Sequence, residues 1–167
     1  AKDGGVALQD VSIANSFNTT HKHVLPTGYE APTRQELILR IGIDIQIFRR
    51  EFRKIAYARG NGRYDAYNKA DKVFEKIATD LFYYANLILK DTSIPWLLND
   101  LYKNFSNYWD QLQMYSSFQA DKTNYLNVHS QVPLVVNNQI DKLSLSLDQT
   151  SSVIEYDINQ IIEACKE

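Results

Sequence analysis

The chain has 167 residues, a hydrophobic fraction of 44%, a charged fraction of 23% and a net charge of −2, which suits one domain with a full apolar core. The mild acidity argues against a dedicated nucleic-acid binder, whose domain is usually strongly basic. No run of about 18 apolar residues occurs, so no membrane span is expected, and Cys165 is the only cysteine, so no internal disulfide forms and the redox compartment stays open.

Residues 1–32 read as an irregular N-terminal arm. Gly4, Gly5, Pro26, Gly28 and Pro32 punctuate it, and Ser, Thr and Asn are dense between Ser12 and Thr20. Val6, Leu8, Val11 and Ile13 make a short apolar patch. The arm is expected to lie along the rest of the chain or to reach onto a partner. It begins Ala-Lys-Asp-Gly-Gly, without a charged-then-apolar signal pattern. A cleaved targeting segment or an imposed boundary would both give that start.

The first helix is expected over 33–58. Two periods compete in it. Leu39, Ile41, Ile43, Ile45 and Ile47 alternate as in a strand, whereas Ile38, Ile41, Ile45, Phe48, Phe52 and Ile55 recur at steps of three and four. The helix wins because its stripe continues where alternation fails. Thr33 and Glu36 also form a capping-box sequence ahead of the apolar run. Asp44 stands beside the stripe, either as a half-buried acid paired with a basic group or at the stripe's edge, and the edge is favoured because acids are rarely fully buried without a partner. Gly60-Asn61-Gly62 marks the helix end.

The second helix follows over 64–89, with the stripe Tyr67, Ala70, Phe74, Ile77, Leu81, Tyr84 and Ile88. So short a connection implies an antiparallel neighbour. Thr92 or Ser93 caps the third helix, and Pro95 suits its first turn. That helix is expected over 95–118 with Leu98, Leu101, Phe105, Tyr108, Leu112 and Tyr115 inward and Trp96 and Trp109 beside them. Residues 119–133 are polar and read as a connection with at most a short helical turn. The last helix is expected from Pro133 to Cys165, lined by Val136, Ile140, Leu143, Leu147, Ile154, Ile158 and Ile161. Its Ser/Thr-rich middle competes for local backbone hydrogen bonds.

These elements make an all-α chain, an up-down-up-down four-helix bundle over 33–167 behind the arm. Steps near 3.5 residues imply coiled-coil-like packing. The 11 Tyr, 7 Phe and 2 Trp supply large rings for helix seams.

Catalytic, cofactor and metal residues are not identified. His21 and His23 read as a surface pair and His129 is isolated. No Glu-x-x-His pattern of a bundle di-metal site occurs, and a structural zinc site would need more Cys or His. No serine stands in Gly-x-Ser-x-Gly. Gly60-Asn61-Gly62 lacks the lysine and spacing of a phosphate loop. Cys165 lies at a helix C-terminus, where the dipole raises a thiol pKa. Asn18-Thr19-Thr20 matches the glycosylation sequon.

The one charge feature is basic. Arg49, Arg50, Arg53, Lys54, Arg59 and Arg63 crowd one end of the first helical hairpin. Cations favour a helix C-terminus for structural reasons. The same cluster would also serve as a partner-binding patch for an acidic protein or membrane surface.

The layout, an irregular arm followed by a four-helix bundle without cofactor ligands, resembles PsbQ, the Q-type extrinsic protein of photosystem II. In size it is more similar to the algal PsbQ′ form. Trp96-Leu97-Leu98-Asn99-Asp100-Leu101 is similar to the Trp-centred helix segment of the plant proteins, there in an early helix and here in the third. The resemblance implies a non-catalytic subunit on the lumenal face of photosystem II. It would dock on the core subunits, help retain the calcium and chloride of the oxygen-evolving centre and bind no metal itself. The location implied is the thylakoid lumen, and otherwise an exported or extracytoplasmic one, peripheral to a membrane at most. The alternative from a different class is the extracytoplasmic four-helix ligand-sensing domain of a bacterial receptor, with Tyr and Arg suited to a ligand held between helices.

Overall fold

A computed structural model of the protein describes residues 31–58, 61–78, 82–129 and 131–167. The arm, except for its last two residues, lies outside the described residues, as do Arg59 and Leu81. All the regular structure described is helical. Helix α1 spans Arg34–Arg53 and tightens into a 3-10 turn over Lys54–Tyr57. The others are α2 (Asn61–Ile77), α3 (Tyr83–Ile88), α4 (Ile94–Val128) and α5 (Leu134–Lys166). The chain divides into two compact units. One is Ala1–Tyr102 with Asp157–Glu167, and the other is Lys103–Tyr156.

In the first unit, α1 starts on the expected capping box. Thr33 Oγ1 accepts the Glu36 backbone N–H at 3.2 Å, and Glu36 Oε1 accepts the Thr33 N–H at 2.9 Å. These bonds satisfy orphan donors of the first turn and hold the Glu36 carboxyl below its usual range. Leu37, Ile41, Ile45, Phe48 and Phe52 are buried. Phe48 stacks on Phe52 with ring centroids 5.9 Å apart and meets the edge of Phe74 of α2 at 5.3 Å. The Arg34 guanidinium donates to both Asp91 oxygens at 2.9 and 3.0 Å and to the Ile88 carbonyl at 3.1 Å, so the start of α1 meets the segment after α3. With the Phe48–Phe74 contact, this makes α1 antiparallel to the chain that follows it.

Asp44 corrects the sequence expectation. It is 7% exposed, on the buried side of α1 and not at its edge. Position 44 lies three residues after Ile41 and four before Phe48, so it falls within the stripe itself. Asp157 is buried too, and neither acid is left without a partner.

The second expected helix also differs. In place of one helix over 64–89, the chain forms α2 and α3, with wider π-type turns at Ala78 and Phe82. Beyond Ile77 the buried residues are Ala78, Phe82, Ala85 and Leu89, while Tyr84 and Ile88 are only half-buried. The inward face has moved by one residue, which is what a π-turn does to helical register. The Thr92 hydroxyl then donates to the Leu89 carbonyl at 2.7 Å and accepts from the Ile94 N–H at 3.2 Å, so Thr92 holds the start of α4. Within the Trp-centred segment, Leu97, Leu98 and Leu101 are buried and Trp96 is exposed.

The second unit holds α4 from Lys103 and α5 to Tyr156. Phe105, Tyr108 and Leu112 are buried on α4, and Val136, Ile140, Leu143, Leu147, Thr150 and Ile154 on α5. Both sets repeat at alternating steps of three and four, the spacing of a coiled-coil seam. Helix α4 extends ten residues past the expected end at 118, through the stretch read as a connection. No Gly or Pro stands between Pro95 and Pro133. Tyr115, Gln119 and Lys122 carry the same spacing onward, half-buried, so polar composition alone does not end the helix. Helix α5 matches its expected span, and its serine-rich middle is continuous. Ser152 back-bonds to the Asp148 carbonyl at 3.2 Å without breaking it.

Candidate docking surface

The outward face of α1 is the candidate site. Leu39, Ile43, Gln46, Arg50 and Arg53 follow one another at steps of four, three, four and three, and all are exposed. At about 100° per residue they share one face. Leu39 is 64% and Ile43 51% exposed, although both are large apolar residues in mid-helix. The face is apolar toward the start of α1 and cationic toward its end.

Beside the apolar half runs an open groove of about 490 Å3. It is lined by Ile38, Leu39 and Ile43 of α1 and by Ile162 and Cys165 near the end of α5. Gly42 faces Cys165 across it, where an added Cβ would meet the Cys165 Cβ at an ordinary 3.9 Å. The Arg49 guanidinium donates to Asn159 Oδ1 at 3.2 Å. Residues 42 and 49 thus meet 165 and 159, so this end of α5 lies antiparallel to α1. Burial pushes the Cys165 thiol up to about 11. The direction is the expected one, with desolvation as the cause.

The cationic half separates the predicted basic residues by role. Arg49 is half-buried and turned toward Asn159 and Gln46, so it ties helices together. Arg50 Nε and Lys54 Nζ lie 3.3 and 3.0 Å from the same Glu51 oxygen. The Lys54 hydrogen bond, and after it the Arg50 one, hold the half-buried Glu51 carboxyl below its usual range. Two cations share one acid, so the exposed Arg50, Arg53 and Lys54 keep a net positive charge around Glu51. Arg63 is half-buried on α2, and Arg59 lies outside the described residues.

The apolar half was missed in the sequence reading, yet its signal was present. The strand-like alternation across Leu39–Ile47 wraps a helix with apolar residues on more than one side. The unit buries Ile41 and Ile45 and leaves Leu39 and Ile43 outside. Among the described residues no group of three or more His, Cys, Asp or Glu side chains is placed to hold a metal ion. No described helix is long and apolar enough to cross a membrane. No family model matches the chain, and no curated protein and no solved structure is significantly similar to it.

Proposed function

We propose that the chain is a non-catalytic structural subunit that docks on a larger protein assembly through the outward face of α1. In this reading the long helical segments form an up-down-up-down four-helix bundle. The assembly, following the resemblance to the Q-type extrinsic proteins, is photosystem II on its lumenal side. The observation that carries the reading is the single exposed stripe Leu39–Ile43–Gln46–Arg50–Arg53. An apolar ridge that continues into cations matches a partner surface with an apolar patch flanked by acids. The apolar part supplies desolvation, and the charges supply steering and register.

The test is rebinding to photosystem II core particles stripped of their extrinsic subunits, at ionic strengths from about 0.1 M, where the Debye length is about 10 Å, to about 1 M, where it is about 3 Å. Arg50→Gln with Arg53→Gln should weaken binding at the low end and differ little from wild type at the high end. Leu39→Glu with Ile43→Glu should weaken it throughout. If both variants bind like wild type, the docking surface is not this face. If wild type does not bind at all, the photosystem assignment fails.

The groove favours a second reading, a ligand-sensing domain. Its volume of about 490 Å3 falls within the range of about 300–1,000 Å3 typical of small-molecule sites. A thermal-shift screen of small amphiphiles in which a hit is abolished by Leu39→Glu with Ile43→Glu would support it over docking.

A further inference from the structure

The second unit ends in a feature that the docking reading does not use. Where α4 finishes and α5 begins, Tyr125, Leu126, Val128, Leu134 and Val135 are all exposed, Val128 by 76% and Leu134 by 73%. Isolated exposed apolar residues need no explanation, but a contiguous group at one end does. Residues 123–140 contain no Asp, Glu, Lys or Arg. It is the longest such run in a chain where 38 of the 167 residues are charged. Thr123, His129, Ser130 and the uncharged amides Asn124, Asn127, Gln131, Asn137, Asn138 and Gln139 supply its polar groups.

From these observations we infer that this end of the second unit inserts shallowly into the interface of a lipid bilayer. The arrangement of the side chains argues for a fluid medium over a protein partner. Tyr125, Leu126 and Val128 point across an arc of about 160° on α4 at 100° per residue, and Leu134 and Val135 diverge by about 100° on α5. A protein surface would cover one side of such an end, whereas lipid can surround all of it. The His129 N–H donates to the Tyr125 carbonyl at 2.6 Å, and the Val136 and Asn137 N–H groups donate to the Pro133 carbonyl at 3.0 and 3.4 Å. The amides suit headgroup depth, and Tyr favours the same zone. Insertion therefore stops at the depth of about 5–10 Å reached by interfacial helices.

The charges that bound the run fix the lipid class. Asp121 and Lys122 precede it and Asp141 and Lys142 follow it, so each side is neutral. Binding should need no anionic lipid and should survive salt. The inference does not depend on the docking reading, whose cationic contribution weakens with salt.

The experiment is co-sedimentation of the full chain with phosphatidylcholine vesicles at about 0.1 and about 1 M salt, a range over which surface electrostatics are screened. Wild type should pellet with the vesicles at both concentrations. Val128→Glu with Leu134→Glu should reduce the partition coefficient at least tenfold. Leu39→Glu with Ile43→Glu should leave it unchanged, and circular dichroism should show all three proteins equally helical. Any of three results would overturn the inference: wild type remaining in the supernatant, the tip variant pelleting like wild type, or binding confined to phosphatidylserine vesicles and released by salt. So would a wild-type dimer that the tip variant dissociates while vesicle binding is absent, because the apolar end would then be a contact between two copies of the chain.

Discussion

The Thr150 hydroxyl donates to Gln111 Oε1 at 3.1 Å, linking α5 to α4 inside the second unit. Thr150 occupies a buried position in the stripe Val136, Ile140, Leu143, Leu147, Thr150 and Ile154, where an aliphatic residue would be the default. A polar residue at one seam position selects register, because a sliding pair of helices would lose the bond while keeping most of its apolar contact.

Thr150→Val should therefore change stability by less than about 1 kcal/mol. It removes one neutral hydrogen bond, worth about 0.5–1.5 kcal/mol net, adds an apolar methyl and leaves Gln111 only half-buried. Thr150→Asp should cost about 3 kcal/mol or more, since it places a charge at a buried seam position. Urea denaturation of both variants checks the pair. Equal losses would mean that the seam is open to water at this point.

Phe48 and Leu39 test which face of α1 is inside. Phe48 is fully buried and packs on Phe52 and Phe74, so Phe48→Ala should cost about 3–5 kcal/mol. Leu39→Ala should stay within about 0.5 kcal/mol, as surface substitutions do. The reverse order in chemical denaturation would place the wrong side of the helix outward and remove the docking face with it.

Cys165 gives a pH dependence. The thiolate is the reactive form, and burial raises the folded thiol from 9.0 to about 11. Alkylation of the folded protein should thus climb about tenfold per pH unit across the range from 7 to 10 without levelling. In concentrated urea it should level near the free-thiol value of 9.0. The sign for stability follows by linkage. The folded state keeps its proton in the window between 9.0 and about 11 while the unfolded state loses it, so this contribution to stability falls as pH rises through that window. A folded-state rate that levels below pH 9 would mean that the thiol is not shielded.

Much of the helical layout was legible because its causes are local. The Thr33–Glu36 capping box, Pro95 in the first turn of α4 and Pro133 before α5 act within a few residues of themselves. The apolar steps of three and four also identified Ile41, Phe48, Phe74, Leu101, Leu112 and Ile158, all of which are buried. Other features depended on residues distant in the chain. The polar stretch continues as helix to Val128, with its seam positions half-buried only as far as Lys122 and its last residues exposed. Around the π-type turns at Ala78 and Phe82 the buried face passes from the expected Tyr84 and Ile88 to Phe82, Ala85 and Leu89. Asp44 is buried because both of its stripe neighbours are. Periodicity in a sequence states which faces of a helix are apolar. Whether a partner covers Leu39 and Ile43, or leaves them in water while covering Ile41 and Ile45, is set by tertiary packing, since burial of a face requires a second element to lie against it.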